Sequence, residues 1–164
     1  MNRHAGQTLP EGPVAPHAHA AARLRAERSA IAARAVPAAA ARDPGLVERH
    51  GAATLRLFAR DADRHVEQLA RALEEGRDAP AVEYASWIVP VMRRRGVSMG
   101  DLGTLFRGVG DAARAVVEAD AGAEIEQLAE AMAAVLDRPR HLQGDRPRNP
   151  LVAFFWKASG FAGW

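Results

Sequence analysis

Three observations predict an all-α fold, a bundle of about six helices. Alanine is the commonest residue, 37 of 164, and it has the highest helix propensity. Tyrosine occurs once and β-branched residues are sparse, so a sheet would lack the side chains that suit a pleated surface. Apolar residues recur three and four apart in one segment after another, which is the helical period and not the alternation of a strand. The length suits one domain with one core.

Residues 1–16 combine glycine, three prolines and polar residues without periodicity, the composition of a disordered tail. The helical domain is expected over residues 17–137. Its first helix runs over residues 17–36, rich in Ala and Arg, with Leu24 and Ile31 seven apart on one face. Pro37 is expected to interrupt it. The stripe is thin, so a small contribution to the core is predicted.

Asp43-Pro44 marks the next start, because Asp accepts hydrogen bonds from free N–H groups and Pro has the φ of a first helical position. Leu46, His50, Ala53, Leu57 and Phe58 are expected on one buried face, continued by Val66, Leu69, Ala70 and Leu73 to a stop at Glu74-Glu75-Gly76. A break near Ala59 to Ala62 is left open. Asp78 and Pro80 open the following helix, with Val82, Ala85, Ile88, Val89 and Met92 inward and Arg93 to Arg95 at its negative C-terminal end. Pro90 is expected to kink it, and a kink beside Trp87 would open a pocket.

Ser98 and Asp101 form a capping pair for a helix carrying Leu102, Leu105, Phe106, Val109, Ala113 and Val116. Gly103, Gly108 and Gly110 weaken that helix by about 1 kcal/mol each, so they imply close helix contact or a backbone approached by a ligand. Asp120 caps the next, with Ile125, Leu128, Met132, Val135 and Leu136 inward and Arg138-Pro139 at its end. Residues 138–149 read as a polar linker. Residues 150–164 read as a short apolar C-terminal helix opened by Asn149-Pro150.

The absence of cysteine excludes disulfides, thiolate metal sites, thiol catalysis and thioether-linked chromophores. One basic residue is lysine, Lys157, and the rest are arginine; the net charge is only +2. Nucleic-acid binding is therefore not implied. No apolar run approaches the ~20 residues that span a bilayer, and the N-terminus lacks the apolar core of a secretion signal, so a cytoplasmic location is expected.

Candidate site residues are His50, His65, Tyr84 and Trp87. On one continuous helix the two histidines would lie about 60° apart in azimuth and roughly 22 Å along the axis. They would not share a metal, though either would ligate or hydrogen-bond a tetrapyrrole alone. Tyr84, Trp87 and Pro90 cluster within two turns, where rings line a flat pocket or fill a core. His17 and His19 form an H-x-H pair without a third ligand. No acid/base pair, nucleophile with its base, phosphate loop or complete metal set is assembled, so a non-enzymatic role is expected.

Residues 65–117, HVEQLARALEEGRDAPAVEYASWIVPVMRRRGVSMGDLGTLFRGVGDAARAVV, contain a helix ending in Leu-Glu-x-Gly, then a helix with Tyr and Trp, then Arg-Arg-Gly-Val-Ser before a long helix. This stretch resembles the non-haem globin-like sensor modules of bacterial signalling proteins, which include stressosome-type sensor globins and the proposed photoglobins. The resemblance implies a globin-like α fold, a regulatory role, a homodimer, a signalling partner protein and, in some members, a linear tetrapyrrole such as biliverdin. No histidine lies in the helices from Asp78 to Asp137, where a haem-binding globin carries its proximal ligand, so haem is disfavoured. The leading expectation is a sensory domain with an apolar ligand pocket. The alternatives are a cofactor-free interaction module that uses residues 150–164, and a DNA-binding regulator that reads duplex with Arg93 to Phe106 as a helix-turn-helix.

Overall fold

In the computed structural model, which describes residues 17–137, the chain is a bundle of six helices. They are α1 (Ala18–Ala26), α2 (Arg28–Arg42), α3 (Gly45–Glu75), α4 (Ala79–Arg94), α5 (Met99–Arg114) and α6 (Ala119–Ala134). The expected tail, linker and C-terminal helix lie outside the described residues, as does Arg138-Pro139. No described helix is long and apolar enough to cross a membrane.

α5 is the centre. It packs chiefly between α2 and α6, while α3 lies against α1, α2 and α4, and α4 also meets α6. Phe106, Leu102, Leu69, Leu73, Met92 and Ile125 are fully buried where these helices converge. The glycines of α5 decide how close its neighbours come. A Cβ added to Gly108 would lie 2.6 Å from the Ala35 carbonyl oxygen and 2.7 Å from both N and Cβ of Ala39, and one added to Gly110 would lie 2.7 Å from Ala129 Cβ. Backbones touch at Gly108 and an alanine methyl presses on Gly110, so at these two glycines the reading of close helix contact holds.

The first segment departs from expectation. The break falls at Glu27, and Pro37 sits inside α2 without ending it. A proline cannot donate to the carbonyl four residues back, here that of Ala33, but Ala33 and Pro37 both lie on the exposed side of the helix, where solvent reaches a free carbonyl at little cost. Nor is the contribution of this region small. Leu24 and Ile31 are fully buried, and Ala32, Ala35 and Ala39 form the face that α5 and α3 cover. A stripe of small residues is thin by hydrophobicity yet allows a closer helix approach than leucine does.

α3 breaks at Gly51, not near Ala59 to Ala62: its φ is 65° and ψ 166°, values open to glycine. Rotation at this kink splits the expected face. Leu46 and Phe58 are buried, whereas Ala53 and Leu57 turn to solvent. Gly76 and Gly96 end α3 and α4 in the left-handed conformation, with Arg77 N–H donating to the Ala72 carbonyl and Val97 N–H to that of Met92. Asp43 accepts from Gly45 N–H at 3.0 Å. α6 starts after Glu118, which puts Asp120 in its first turn and not at the cap.

Ser98 caps α5 as expected, its hydroxyl accepting from Asp101 N–H at 3.0 Å. Ser98→Ala is expected to lower stability by about 1 kcal/mol, read from the urea midpoint, whereas Ser98→Asn is expected to retain most of it. Equal midpoints for Ser98→Ala and the parent would show the cap to be idle.

Candidate functional site

The four candidate residues separate into three environments. His50 lies before the Gly51 kink, where its Nε2–H donates to Asp101 Oδ2 at 2.8 Å and its ring meets Phe58 edge-on at 5.1 Å. Arg49 donates to the other Asp101 oxygen at 2.5 Å. Burial opposes the charge of Asp101, but hydrogen bonds with Arg49, His50 and Ser98 prevail and hold its carboxyl below the usual range. These contacts tie the start of α3 to the start of α5. The imidazole is engaged by a carboxylate in an ion-pair cluster that fastens the two helix starts together.

His65 is 2% exposed. Its Nδ1 is 3.0 Å from the Tyr84 hydroxyl, and its ring meets Phe106 and Tyr84 edge-on with centroids at 5.1 and 5.5 Å. α3, α4 and α5 each supply one ring. Burial lowers the His65 pKa to about 4, Asp61 raising it and Arg64 lowering it further. Burial, with Asp61 next, pushes the Tyr84 phenol upward. Near neutrality both groups are uncharged. In the tautomer with the proton on Nε2, Tyr84 donates to Nδ1.

Asp61 and Arg95, which are not among the four candidates, join this pair. Asp61 sits one turn before His65 on α3, nearly buried, and accepts from Arg95 at the end of α4 at 2.5 Å. Trp87, one turn beyond Tyr84, packs on it with centroids 6.0 Å apart but is 55% exposed. The i, i+4 spacing of Asp61 and His65 was readable, but the partner of Asp61 lies 34 residues away and carries no local signal. The seam between α3 and α4 therefore runs from solvent at Arg95 and Trp87, through Asp61 and Tyr84, to the buried imidazole.

α4 continues through Pro90, which is exposed, and Trp87, expected beside a pocket, stands on the surface. Two surface depressions lie elsewhere, on the α5–α6 side. One is lined by Arg42, Arg107, Asp111, Arg114, Glu126 and Glu130, and the other by Asp111, Arg114, Glu118 and their neighbours. A tetrapyrrole does not fit at His65 as packed, because Nδ1 is engaged by Tyr84 and Phe106 abuts the ring.

The first turns of α5 pack one face against neighbouring helices. Asp101, Leu102 and Gly103 are buried between helices. Among the described residues no three His, Asp or Glu side chains gather to hold a metal ion. Comparison of the chain with protein-family models finds no match, and neither does comparison with curated proteins.

Proposed function

We propose that the chain is a non-catalytic sensory or regulatory domain of the globin-like kind, with the α3–α4 seam as its responsive element. One observation carries this reading: an uncharged His65–Tyr84 pair lies in the helical core, within the electrostatic reach of Asp61, whose partner Arg95 is exposed. Polar groups in a core cost stability unless paired, and perturbed groups of this kind concentrate at functional sites. Packing alone would be served by apolar residues at both positions. A small ligand that hydrogen-bonds His65 or Tyr84, or that competes for Arg95, would shift α4 against α3 by its differential affinity for the two arrangements. Because the imidazole is enclosed, a biliverdin or haem would first have to displace Tyr84 or Phe106, so a smaller planar ligand suits the seam better.

The test is thermal unfolding and visible absorption of the parent, His65→Gln and Tyr84→Phe chains with haem, biliverdin, cobalamin or benzoate. The expected result is a rise of the parent midpoint with a seam-sized planar carboxylate such as benzoate, absent in both variants. A stoichiometric visible band would instead assign a pigment. If none of the four compounds shifts the midpoint or gives a band, the ligand reading fails.

A second reading, a cofactor-free interaction module acting as a homodimer or on a signalling partner, is favoured by Trp87. A tryptophan 55% exposed on an otherwise well-packed helix is the residue type that anchors protein contacts. Sedimentation equilibrium is expected to give a dimer for the parent and a monomer for Trp87→Ser, with unfolding changed by less than about 0.5 kcal/mol because the site is a surface one. A monomeric parent would remove the homodimer.

A further inference from the structure

Most arginines of the bundle face acids. Arg42 meets Asp111, Arg107 meets Glu130, and Arg114 meets Glu126. Besides Arg93 at the end of α4, the exceptions are Arg56, Arg60 and Arg64, which lie four residues apart on α3 and make no hydrogen bond or ion pair with a described residue. The acids near them along the helix are engaged by other elements. Asp61 accepts from Arg95, Asp63 from Arg28, and Glu67 from both Arg25 and Arg28.

The three cations therefore stand in a row with no carboxylate to neutralise them, although like charges four residues apart disfavour a helix. At about 100° per residue, Ala53, Arg56, Leu57, Arg60 and Arg64 fall within about 100° of azimuth. All five are exposed, Leu57 to 40%. The face is thus an apolar spot, Ala53 and Leu57, set beside a cationic row about 12 Å long.

Two features choose among anions. Residues 17–137 hold 16 basic and 18 acidic residues, so a long polyanion such as a nucleic acid would run off the row onto a slightly negative bundle. Single strands also bind by stacking their bases on rings, and none of the five residues of this face is aromatic. A short acidic helix meets both conditions: carboxylates four residues apart match the arginine row, and an apolar side chain beside them covers Leu57.

We propose that the exposed face of α3 from Ala53 to Arg64 docks an amphipathic helix of a partner protein. Its Asp or Glu side chains, at four-residue spacing, lie against Arg56, Arg60 and Arg64, and an apolar residue lies against Leu57. The contact depends neither on a ligand at the α3–α4 seam nor on Trp87.

Calorimetric titration of the full chain with a peptide of ~20 residues that repeats Glu-Leu-Ala-Ala, a length at which an Ala-rich helix holds, tests it. The parent is expected to bind this peptide, less tightly as salt rises, and to bind the Gln-Leu-Ala-Ala counterpart about tenfold more weakly. The chain with Arg56→Gln, Arg60→Gln and Arg64→Gln should also lose about tenfold, with a urea midpoint no lower than the parent's because the like-charge repulsion is gone. Arg34→Gln, on α2, should bind as the parent does. Absence of binding by the parent, equal affinity for the two peptides, or unchanged affinity in the triple variant overturns the proposal. So does an equal loss with Arg34→Gln, or tighter binding of a single-stranded oligonucleotide.

Discussion

Gly108→Ala is expected to destabilise the bundle by about 2 to 3 kcal/mol, although alanine favours the helix by roughly 1 kcal/mol over glycine. The new methyl would sit 2.6 Å from a carbonyl oxygen of α2 and 2.7 Å from the nitrogen and Cβ of Ala39. None of these atoms belongs to a side chain that can rotate away. α2 and α5 would have to move apart by about 0.7 Å to restore an ordinary contact of about 3.3 Å, loosening the burial of Ile31 and Phe106 along with it. Gly122→Ala is the control. Its methyl would meet only Arg114 Cγ, at 3.9 Å, so the same change is expected to stabilise by about 0.5 to 1 kcal/mol. Urea midpoints measure both, and equal signs would mean that the two helices are not in backbone contact.

The second large effect is acid sensitivity centred on His65. Its pKa is about 4 in the folded chain, against an ordinary 6.5, because burial disfavours the imidazolium. Above pH 6.5 neither state binds the proton and the group is silent. As the pH falls from 6.5 to 4 the unfolded chain takes up a proton that the folded chain refuses, so stability is lost, by about 3 kcal/mol in all. About 2 kcal/mol of this falls by pH 5, before the lowered carboxyls of Glu74, Glu75, Asp101 and Glu130 begin to titrate. Denaturant midpoints between pH 6.5 and 5 should therefore fall steeply for the parent and stay nearly level for His65→Gln. Parallel curves would mean that the imidazole is not enclosed by Tyr84 and Phe106.

What could be read from the sequence was local. The apolar spacing of α4, α5 and α6, the caps at Ser98 and Asp43, and the glycine stops at Gly76 and Gly96 all depend on neighbours within a few residues, and the bundle forms accordingly. The errors are equally physical. Hydrophobicity undervalues the Ala-rich α2, whose importance is geometric. A glycine at position 51 gives no more sign of a positive φ than any other, so apolar spacing carried straight through α3 puts Ala53 and Leu57 inside, whereas the kink leaves them exposed. At the candidate site, His65 is legible as a rare residue beside an apolar stripe and Tyr84 as part of a cluster with Trp87 and Pro90. Their pairing, and the roles of Asp61 and Arg95, depend on tertiary contacts between α3 and α4 that spacing does not encode.

The alanine and glycine contact between α2 and α5 has a dynamic consequence. Ala35, Ala39 and Gly108 have no side-chain rotamers, so the crossing has no internal disorder to gain by loosening partway. It cannot soften gradually and must open in one step, carrying α6 with it through Gly110 and Ala129. In native-state hydrogen exchange, the amides of α2 and α5 are expected to open only with global unfolding. Residues 52–57, where Ala52, Ala53, Arg56 and Leu57 are exposed beyond the Gly51 kink, should exchange through small local openings. Local opening is thereby expected in the first half of α3, before the His65 seam, and not at the α2–α5 crossing.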